Sequence, residues 1–387
     1  MMKELSPEQF ERAFPLTKQM SYNSVLYAII EGTHSGRIWI NELSNPSLAL
    51  FWDMDRRFYL LGDYSNNEQN KKLQHILETI VFEHGLKNHL SQWTFHYAPL
   101  DWEEILLEMI VDYLPLKDNR LYYQFDYKDC QLLDDWQENL KPNFELLFIN
   151  ESFFENKNHL KHFDRILSEI SYWQSREMFL QYGYGFCLVD DKTIAAWCLG
   201  EYVSPNHKKI EVGITTYPPF QKQGLATITG SAFVDYSIKK GYTVGWHCWE
   251  NNIPSLKTAE KIGFKFVKKY PVLYGWYNKI DGLLVHAWNN ISKSKNYRKA
   301  ISFYQQVLAF QKSTSPLIKT SHLLKKVNVN LYLAACYGQL REFDQAFDFL
   351  QKAIDSGFKG LNKLQKNKLF EPLSSHPNWQ NIADNKE

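Results

Sequence analysis

Hydrophobic positions follow two different spacings along this chain. Up to about residue 280, short runs rich in β-branched and aromatic residues alternate with segments in which apolar residues recur every three or four positions. The short runs are typical of strands, and the periodic segments are typical of amphipathic helices. From about residue 281 onward only the helical spacing remains. The pattern therefore predicts an α+β part followed by an all-helical part.

The first 115 residues predict one α+β unit. Strands are expected at RIWINEL, RFYLLGDY and WTFHYA, with SNPSLALFWDMD as the segment that joins the first two. The segment NEQNKKLQHILETIVFEHGL carries the spacing of a helix.

Residues 116–280 predict a second unit of mixed strands and helices. Its expected strands are LYYQFDYK, FELLFINE, GYGFCLVDD, KTIAAWCLGEYV, KKIEVGITTY, TVGWHCW, FKFVKKY and VLYGWY. Asp190-Asp191-Lys192 predicts a hairpin turn between the third and fourth of these. Its expected helices are NHLKHFDRILSEISYWQSREMFLQY, a segment from Gly224 to about Lys240, and PSLKTAEKI. Gly241 and Gly263 follow the last two and are typical helix stops.

Residues 281–387 contain two helical segments that resemble each other. Ala346, Leu350 and Ala353 occupy the small and large positions of a tetratricopeptide-like helix pair. The matching residues of the earlier segment are Ala300, Tyr304 and Val307. Small residues let two helices approach closely, and the larger ones fill the groove between them. The spacing predicts a tetratricopeptide-like region, which is a candidate site for a protein partner.

Composition removes several classes of function. Of the 387 residues, 44% are hydrophobic and 16% are aromatic, so folded domains are expected throughout. The formal net charge of +1 gives no electrostatic basis for binding nucleic acid. No window reaches the roughly 18 apolar residues of a membrane helix, and the N-terminus has no apolar signal core. The scattered cysteines predict no zinc site or disulfide framework and favour the reducing cytoplasm; they are Cys130, Cys187, Cys198, Cys248 and Cys336.

The stretch YPPFQKQGLATITG, which follows the strand KKIEVGITTY, carries the clearest chemistry. Pro218 and Pro219 end the strand, and a helix is expected to begin near Gly224. The first N–H groups of a helix lack partners inside it, and with the helix dipole they attract anions. Gly224 lets a bulky group approach the backbone, and Lys222 adds positive charge. A pyrophosphate is the expected guest, and the alternative is an ordinary turn between strand and helix.

The order hairpin, strand, turn, helix, strand and short helix ending in Gly263-Phe264 resembles the GNAT (Gcn5-related) acyltransferase superfamily. That family's motif is Gln or Arg, two residues, Gly, one residue, and Gly or Ala, and it is matched by Gln221, Gly224 and Ala226. The resemblance implies acetyl-CoA, with its pyrophosphate on the turn and its pantetheine arm beside the preceding strand, and no metal. The residues expected to contact acetyl-CoA are Ile214, Thr215, Thr216, Gln221, Lys222, Gln223, Gly224, Leu225, Ala226, Thr227, Asn252 and Ser255.

A closer resemblance concerns EVGITTYPPFQKQGLAT, followed by WHCWENN. These stretches are similar to a bacterial group of longer GNAT proteins that includes zwittermicin A resistance acetyltransferases. The resemblance implies that residues 1–115 are a degenerate second copy, because no Gln/Arg-x-x-Gly-x-Gly/Ala turn precedes their long helix.

The expected fold is therefore α+β with three layers. It consists of tandem GNAT-like domains, whose mixed, mostly antiparallel sheets are flanked by helices, and an all-α tetratricopeptide-like domain. The expected bounds are 1–115 for the degenerate copy, 116–280 for the catalytic domain and 281–387 for the helical domain.

Acyl transfer to an amine requires a base for the amine, groups that polarise the thioester carbonyl, and either an acid that protonates the leaving thiolate or release of the thiolate to solvent. Glu211, ten positions before Gln221, matches a glutamate that relatives use as base. The alternative is an ordinary strand glutamate that faces solvent or pairs with Lys208 or Lys209. Glu250 is the second candidate. Backbone N–H groups of the strand from Val212 to Thr215 are expected to polarise the carbonyl.

The general acid is less well defined by the sequence. Many relatives carry a tyrosine just before the Glu-Lys-x-Gly-Phe ending of the last helix, and this chain has Ala259 there. Tyr274, on the closing strands, is the candidate substitute. The alternative is that the thiolate leaves to solvent without a protein donor.

Two functions from different classes fit the sequence. The first is acetyl-CoA-dependent N-acetyl transfer to a primary amine of a small molecule, with an aminopolyol-type antibiotic as one option. The second is a non-catalytic acyl-CoA-binding module that regulates or docks a protein partner through its helical repeat. Neither function involves nucleic acid or a membrane.

Overall fold

This computed structural model describes residues 2–126, 128, 136–313 and 315–383. The chain divides into two compact units. The first unit comprises Met1–Leu77, Trp93–Met109 and Leu116–Tyr274. The second unit comprises Glu78–Gln92, Ile110–Pro115 and Gly275–Glu387. No described helix is both long enough and apolar enough to span a bilayer.

The described strands join into one sheet. Their bounds are β1 Lys3–Glu4, β2 Arg37–Ile40, β3 Leu48–Trp52, β4 Arg57–Gly62, β5 Gln92–Ala98, β6 Leu116–Phe125, β7 Phe144–Ile149, β8 Gly185–Asp190, β9 Thr193–Ser204, β10 Lys209–Thr216, β11 Thr243–Trp249 and β12 Lys265–Trp276. The sheet has 12 strands in the order β1-β2-β3-β4-β5-β12-β6-β11-β10-β9-β8-β7. It is mixed, because β4 pairs with β5 and β10 pairs with β11 in parallel.

This strand order contains the same half twice. From one edge of the sheet toward its centre, the strands are β1 to β5 in consecutive order. From the other edge toward the centre, they are β7 to β11 in consecutive order. At the centre, β12 lies beside β5 and β6 lies beside β11, so each half places its last strand against the other half. The first unit is therefore a tandem of two similar halves that share one sheet.

Helices flank the sheet of the first unit. Their bounds are α1 Ser24–Ile30, α2 Asn67–Ile76, α4 Trp102–Met109, α5 Glu151–Asn156, α6 Phe163–Ile170, α7 Arg176–Tyr182, α8 Leu225–Lys239 and α9 Ile253–Ile262. A helical segment, Pro7–Met20, precedes α1. The helices α8 and α9 end where the sequence predicts, because Gly241 and Gly263 adopt φ of 79° and 108°.

Three local expectations were wrong. The segment SNPSLALFWDMD contains β3, whose five residues are all buried. The predicted helix before Gly183 is divided into α6 and α7, because Ser175 caps a new helix start. The runs FKFVKKY and VLYGWY form the single strand β12; Pro271 lacks an N–H, yet its neighbours keep their register with β6.

The second unit is helical. Its helices are α3 Glu83–Lys87, α10 Lys279–Ser292, α11 Tyr297–Lys312, α12 Leu317–Thr320, α13 Val329–Gln339, α14 Phe343–Asp355, α15 Leu361–Leu364, α16 Glu371–Ser374 and α17 Asn378–Ala383. The alanines of the two similar segments, Ala300, Ala346 and Ala353, are fully buried in one hydrophobic core. The tetratricopeptide-like identity of this region stays a prediction, as do the bounds 1–115, 116–280 and 281–387.

Candidate active site

β10 and β11 form a fork. Their parallel pairing starts at Lys209 opposite Thr243 and ends at Glu211 opposite Gly245. Beyond that point β10 follows β9, with a bulge between Glu211 and Val212, while β11 follows β6 as far as Trp249. The two strands therefore part after Glu211, and backbone N–H and C=O groups are left inside the fork.

α8 begins at the end of β10, after one short turn. Gly224 precedes the helix with φ of 85°, and Lys222 has φ of 61°. A Cβ added at Gly224 would meet no atom within 4 Å, so the glycine serves the positive φ and leaves open space in front of the helix. Because glycine has no side chain to cap the first N–H groups of α8, these donors stay available to a ligand.

A cavity of about 720 Å³ lies against the start of α8. This volume falls within the range of small-molecule sites, about 300–1,000 Å³. Among its lining residues are three lysines and no carboxylate, so the cavity favours an anionic guest. The lining residues are Ile214, Thr215, Thr216, Phe220, Gln221, Lys222, Gly224, Leu225, Ala226, Thr227, Trp246, Asn252, Pro254, Ser255, Lys257, Thr258 and Lys261.

Nearly all residues that the sequence assigns to the coenzyme lie in this wall. The exception is Gln223, whose side chain donates to the Pro219 carbonyl at 3.4 Å. Thr229, two residues further along α8, is buried and donates to the Leu225 carbonyl at 3.0 Å, so its hydroxyl does not face the cavity. The structure thus brings together the turn, the end of β10 and the start of α9.

The start of α9 contributes polar groups, some of which the sequence did not reveal. Asn252 caps the helix, because its side-chain oxygen accepts from the Ser255 N–H at 3.3 Å. Ser255 in turn accepts from Trp246 Nε1 at 3.0 Å, and its hydroxyl also bonds to the Cys248 thiol. Sequence reasoning missed Lys257 and Lys261. Their spacing of four positions, which places both on one face of a helix, was the signal that could have found them.

Glu211 lies where the fork opens and is only 6% exposed. Burial, together with the charge of Glu201, raises the pKa of Glu211 to about 7. His247 Nε2 lies 3.9 Å from the Glu211 carboxyl but is held at 3.2 Å by the Tyr22 carbonyl. Among the described residues, none donates a hydrogen bond to Glu211. Glu211 is therefore a buried carboxyl that lacks a donor and changes charge near neutral pH.

Glu211 begins a row of polar side chains on one face of the sheet, which we call the polar row. Its members are Glu211 on β10, His247 on β11, Arg120 and Tyr122 on β6, Tyr270 on β12, His96 on β5, and Tyr59 and Arg57 on β4. Tyr122 stacks on His247, and the Tyr270 hydroxyl lies 2.8 Å from His247 Nδ1. His96 stacks on Tyr59, with ring centroids 4.5 Å apart.

The sheet curls around the polar row. Arg57 on β4 donates to Glu201 on β9 at 2.6 Å, although β9 is the sixth strand from β4 in the sheet. In a flat sheet those strands would be about 29 Å apart. The polar row therefore lies on a strongly concave face. The sequence signal for it was a charged or histidine residue inside an aromatic run, namely Arg57, His96 and Arg120.

The profile of one protein family, described as GNAT acetyltransferase, matches residues 14–273. The chain belongs to the GNAT acetyltransferase family. Such enzymes use acetyl-CoA as co-substrate and act on amines of small molecules or proteins. The match ends before α10, so it does not extend to the later helices of the second unit.

The chain is also similar to individual proteins and solved structures. The uncharacterized N-acetyltransferase YdfB of Bacillus subtilis (strain 168) is 21% identical over 274 residues, which are 71% of this GNAT chain and 98% of that protein. A GCN5-related N-acetyltransferase-like protein from Streptococcus suis 89/1591 has a TM-score of 0.54 at 20% identity, covering 70% of this chain and 98% of that one. A tandem GNAT protein from the clavulanic acid biosynthesis pathway gives a TM-score of 0.48 at 11% identity, covering 72% and 98%.

The first half of this GNAT acetyltransferase has no comparable opening. β4 and β5 stay paired as far as Leu61 opposite Ala98. The indole of Trp102 donates to the Gly62 carbonyl at 2.9 Å and so closes the end of β4. The following helix α2 is capped by Asn66, which accepts from two of its N–H groups, and Glu68 adds negative charge there. These features argue against an anion site in the first half.

The structure does not bring Tyr274 to the cavity of this GNAT acetyltransferase. Its ring packs edge-on against Trp249, with centroids 5.3 Å apart, and it is not among the lining residues. Glu250 accepts from Lys269 at 2.5 Å and from Asn119 at 2.9 Å, and these bonds lower the pKa of Glu250. The predicted acid role of Tyr274 therefore has no geometric support, and Glu250 is a poor base.

The remaining candidate chemistry concerns metals and thiols. Within the described residues, no group of three or more His, Cys, Asp or Glu side chains could hold a metal ion. Cys187, Cys198, Cys248 and Cys336 are free and buried. Burial raises the pKa of the Cys187 thiol to about 12, so this thiol is not a nucleophile at neutral pH. Cys130 lies outside the described residues.

Proposed function

We propose that this protein transfers an acetyl group from acetyl-CoA to a primary amine of a small molecule, by direct attack of the amine on the thioester. The observation that carries the proposal is the cavity at the start of α8. Its wall combines uncapped helix N–H groups with three lysines and no carboxylate, directly beside the fork between β10 and β11.

The residues of the cavity fit the parts of acetyl-CoA. The N–H groups from Gly224 to Thr227, with Lys222, would hold the pyrophosphate. Lys257 and Lys261 would meet the remaining phosphate charge. Ile214 to Thr216 would lie along the pantetheine arm, and the Ser255 hydroxyl would bond to it.

Glu211 is the base in this proposal. A carboxyl whose pKa lies near 7 is ionised in a large fraction of molecules at neutral pH and still basic enough to take a proton. An ammonium or amine group would supply the donor that Glu211 lacks. The backbone N–H groups freed after the bulge at Val212 would polarise the thioester carbonyl, and the thiolate would leave to solvent.

The finer parts of the proposal rest on the sequence alone. The resemblance to the zwittermicin A resistance group supports an aminopolyol-type amine as one acceptor. The helical repeat supports a protein partner, and the thiol pattern supports a cytoplasmic location. None of these is needed for the chemistry at Glu211.

The test is calorimetric titration of acetyl-CoA into wild type and Gly224→Glu. The glutamate places bulk and negative charge in front of the α8 N–H groups, so affinity is expected to fall at least about tenfold, which corresponds to about 1.4 kcal/mol. Gly241→Glu is the matched control, because Gly241 has φ of 79°, has open space around it and lies at the other end of α8.

Gly241→Glu is expected to bind acetyl-CoA like wild type. Equal losses in both variants would mean that the effect is on folding, and equal binding in both would remove the cavity as the coenzyme site. Wild-type binding without turnover of any amine would instead support the non-catalytic module.

A further inference from the structure

We infer that the acceptor carries an anionic group in addition to its amine, and that Arg120 binds that group while Glu211 receives the amine. This inference rests on the proposed function, because it concerns the acceptor side of the same reaction. It adds a specificity-determining residue and a substrate class.

Arg120 shares the concave face with Glu211. On β6 it lies directly opposite Tyr270 of β12 and opposite Trp249 of β11, so its side chain points to the same face as theirs. Its guanidinium lies over the Trp249 ring, 5.0 Å from the centroid. β6 and β10 are separated only by β11, about 10 Å across the strands, and Arg120 and Glu211 are also offset by four residues of β11, about 13 Å along it. An elongated small molecule can span the distance between Arg120 and Glu211.

Neither end of this span forms a close ion pair within the protein, although the positive charges of Arg57 and Arg120 act on Glu211 from a distance and lower its pKa against the larger effect of burial. Among the described residues, Arg120 has no carboxylate within 4.0 Å, and its Nε is buried without an acceptor. Glu211 has no hydrogen-bond donor, and its contact with His247 is at 3.9 Å. The same interior holds a completed pair, in which Arg57 donates to Glu201 at 2.6 Å. The chain therefore joins Arg57 and Glu201 by a direct hydrogen bond and leaves Arg120 and Glu211 without one.

Leaving these groups unpaired is costly to the free protein. A buried polar group without a partner destabilises the folded protein, and a charged group does so more strongly. A third group, His96, adds to this: it is 3% exposed, and both of its ring nitrogens lack a partner. A guest with an ammonium at one end and an anionic oxygen at the other would satisfy Glu211 and Arg120 together, and His96 could donate to the same oxygen. A simple alkylamine would satisfy only Glu211.

The test uses two matched sets of acceptors with wild type and Arg120→Met. The longer set is γ-aminobutyrate, 4-amino-1-butanol and butylamine, and the shorter set is alanine, 2-amino-1-propanol and isopropylamine. In at least one set, wild type is expected to favour the carboxylate member by at least about tenfold in kcat/KM. Arg120→Met should remove that preference, mainly through KM, and change kcat/KM for the other two members less than threefold.

Arg37→Met is the matched control. Arg37 also stacks on a tryptophan, with its guanidinium 4.6 Å from the Trp39 ring, but it lies on β2 and pairs with Glu4. This variant should keep the wild-type preference. Acetyl-CoA affinity, measured by calorimetry, should be unchanged in both variants.

The outcomes separate the two proposals. If wild type does not bind acetyl-CoA, the proposed function is wrong. The inference about Arg120 can still be tested in that case, because ligand-observed NMR with coenzyme-free protein shows whether γ-aminobutyrate or alanine binds to wild type and not to Arg120→Met. Acetylation that favours the alcohol or the alkylamine in both sets overturns the inference. The inference is also overturned if Arg120→Met lowers kcat/KM equally for all three members of a set. It is likewise overturned if wild type neither binds nor acetylates any carboxylate member.

Discussion

Replacing Glu211 by glutamine is expected to lower kcat for acetyl transfer by about 10²–10⁴-fold. Glutamine keeps the size and polarity of the side chain but cannot take a proton from the amine. Acetyl-CoA binding should not change, because Glu211 is not among the residues that line the cavity. Stopped-flow or coupled thiol assays measure kcat, and calorimetry measures coenzyme affinity. Glu250→Gln, at the exposed ion pair with Lys269, is the control and should retain activity within about threefold.

The pH dependence of acetyl transfer by the wild type should reflect the ionisation of the Glu211 carboxyl. Activity is expected to rise as pH passes through about 7, because Glu211 must lose its proton to act as base. A profile for kcat/KM that is flat between pH 5.5 and 8.5, or a Glu211→Gln variant with wild-type kcat, would contradict the assignment.

Glu211→Gln should also stabilise the fold at high pH. The carboxyl ionises near 4.5 in the unfolded chain and near 7 in the folded one, so the folded state holds this proton more tightly. The free energy of unfolding therefore falls as pH rises from 4.5 to 7, by about 3 kcal/mol at most. Urea unfolding at pH 8 should show the variant as more stable than wild type, with the difference vanishing at pH 4.5. A less stable variant at pH 8 would show that Glu211 has a stabilising partner.

Trp102→Ala is expected to lower the free energy of unfolding by about 3–5 kcal/mol. The indole is fully buried, closes the end of β4 through its bond to the Gly62 carbonyl, and leaves both a cavity and an unpaired carbonyl when removed. Acetyl-CoA affinity should be unchanged, because the cavity proposed for the coenzyme lies in the other half of the sheet. Denaturant unfolding, followed by a probe in the first unit, measures the effect.

Leu100→Ala is the control for the tryptophan. Leu100 lies two residues before Trp102, in the turn that precedes α4, and is 60% exposed, so its truncation should change stability by no more than about 0.5 kcal/mol. If Trp102→Ala unfolds at the same denaturant midpoint as wild type, the indole does not stabilise the paired ends of β4 and β5.

Local sequence chemistry was enough to predict the turn before α8 and most of the residues that line the cavity there. Two prolines that end a strand, a glycine before a run of small residues and a glycine after it define α8 by backbone rules alone. Gln221, Gly224 and Ala226 then lie where the family motif requires. These signals work because every residue of the turn is close to the others in the chain.

The polar row as a whole could not be predicted in the same way. The sequence named Glu211 alone, and Arg57, His96 and Arg120 lie on three other strands that are far apart in sequence. A charged or histidine residue inside an aromatic run marks each of these three, but only the curl of the sheet brings them near Glu211. For Tyr274 the residue type suggested a role that its position does not support. Its ring packs against Trp249 near the end of β12 and does not reach the cavity.

The exchange of central strands has a consequence for how the protein is made. As the chain leaves the ribosome, β5 emerges long before β12, its neighbour in the finished sheet. Until residues 265–276 are synthesised, the nascent first half carries an open backbone edge at residues 92–98. A ribosome that stalls before that point releases a product whose edge is ready to join another chain. The open edge of β5 is therefore covered only after nearly the whole tandem has been translated.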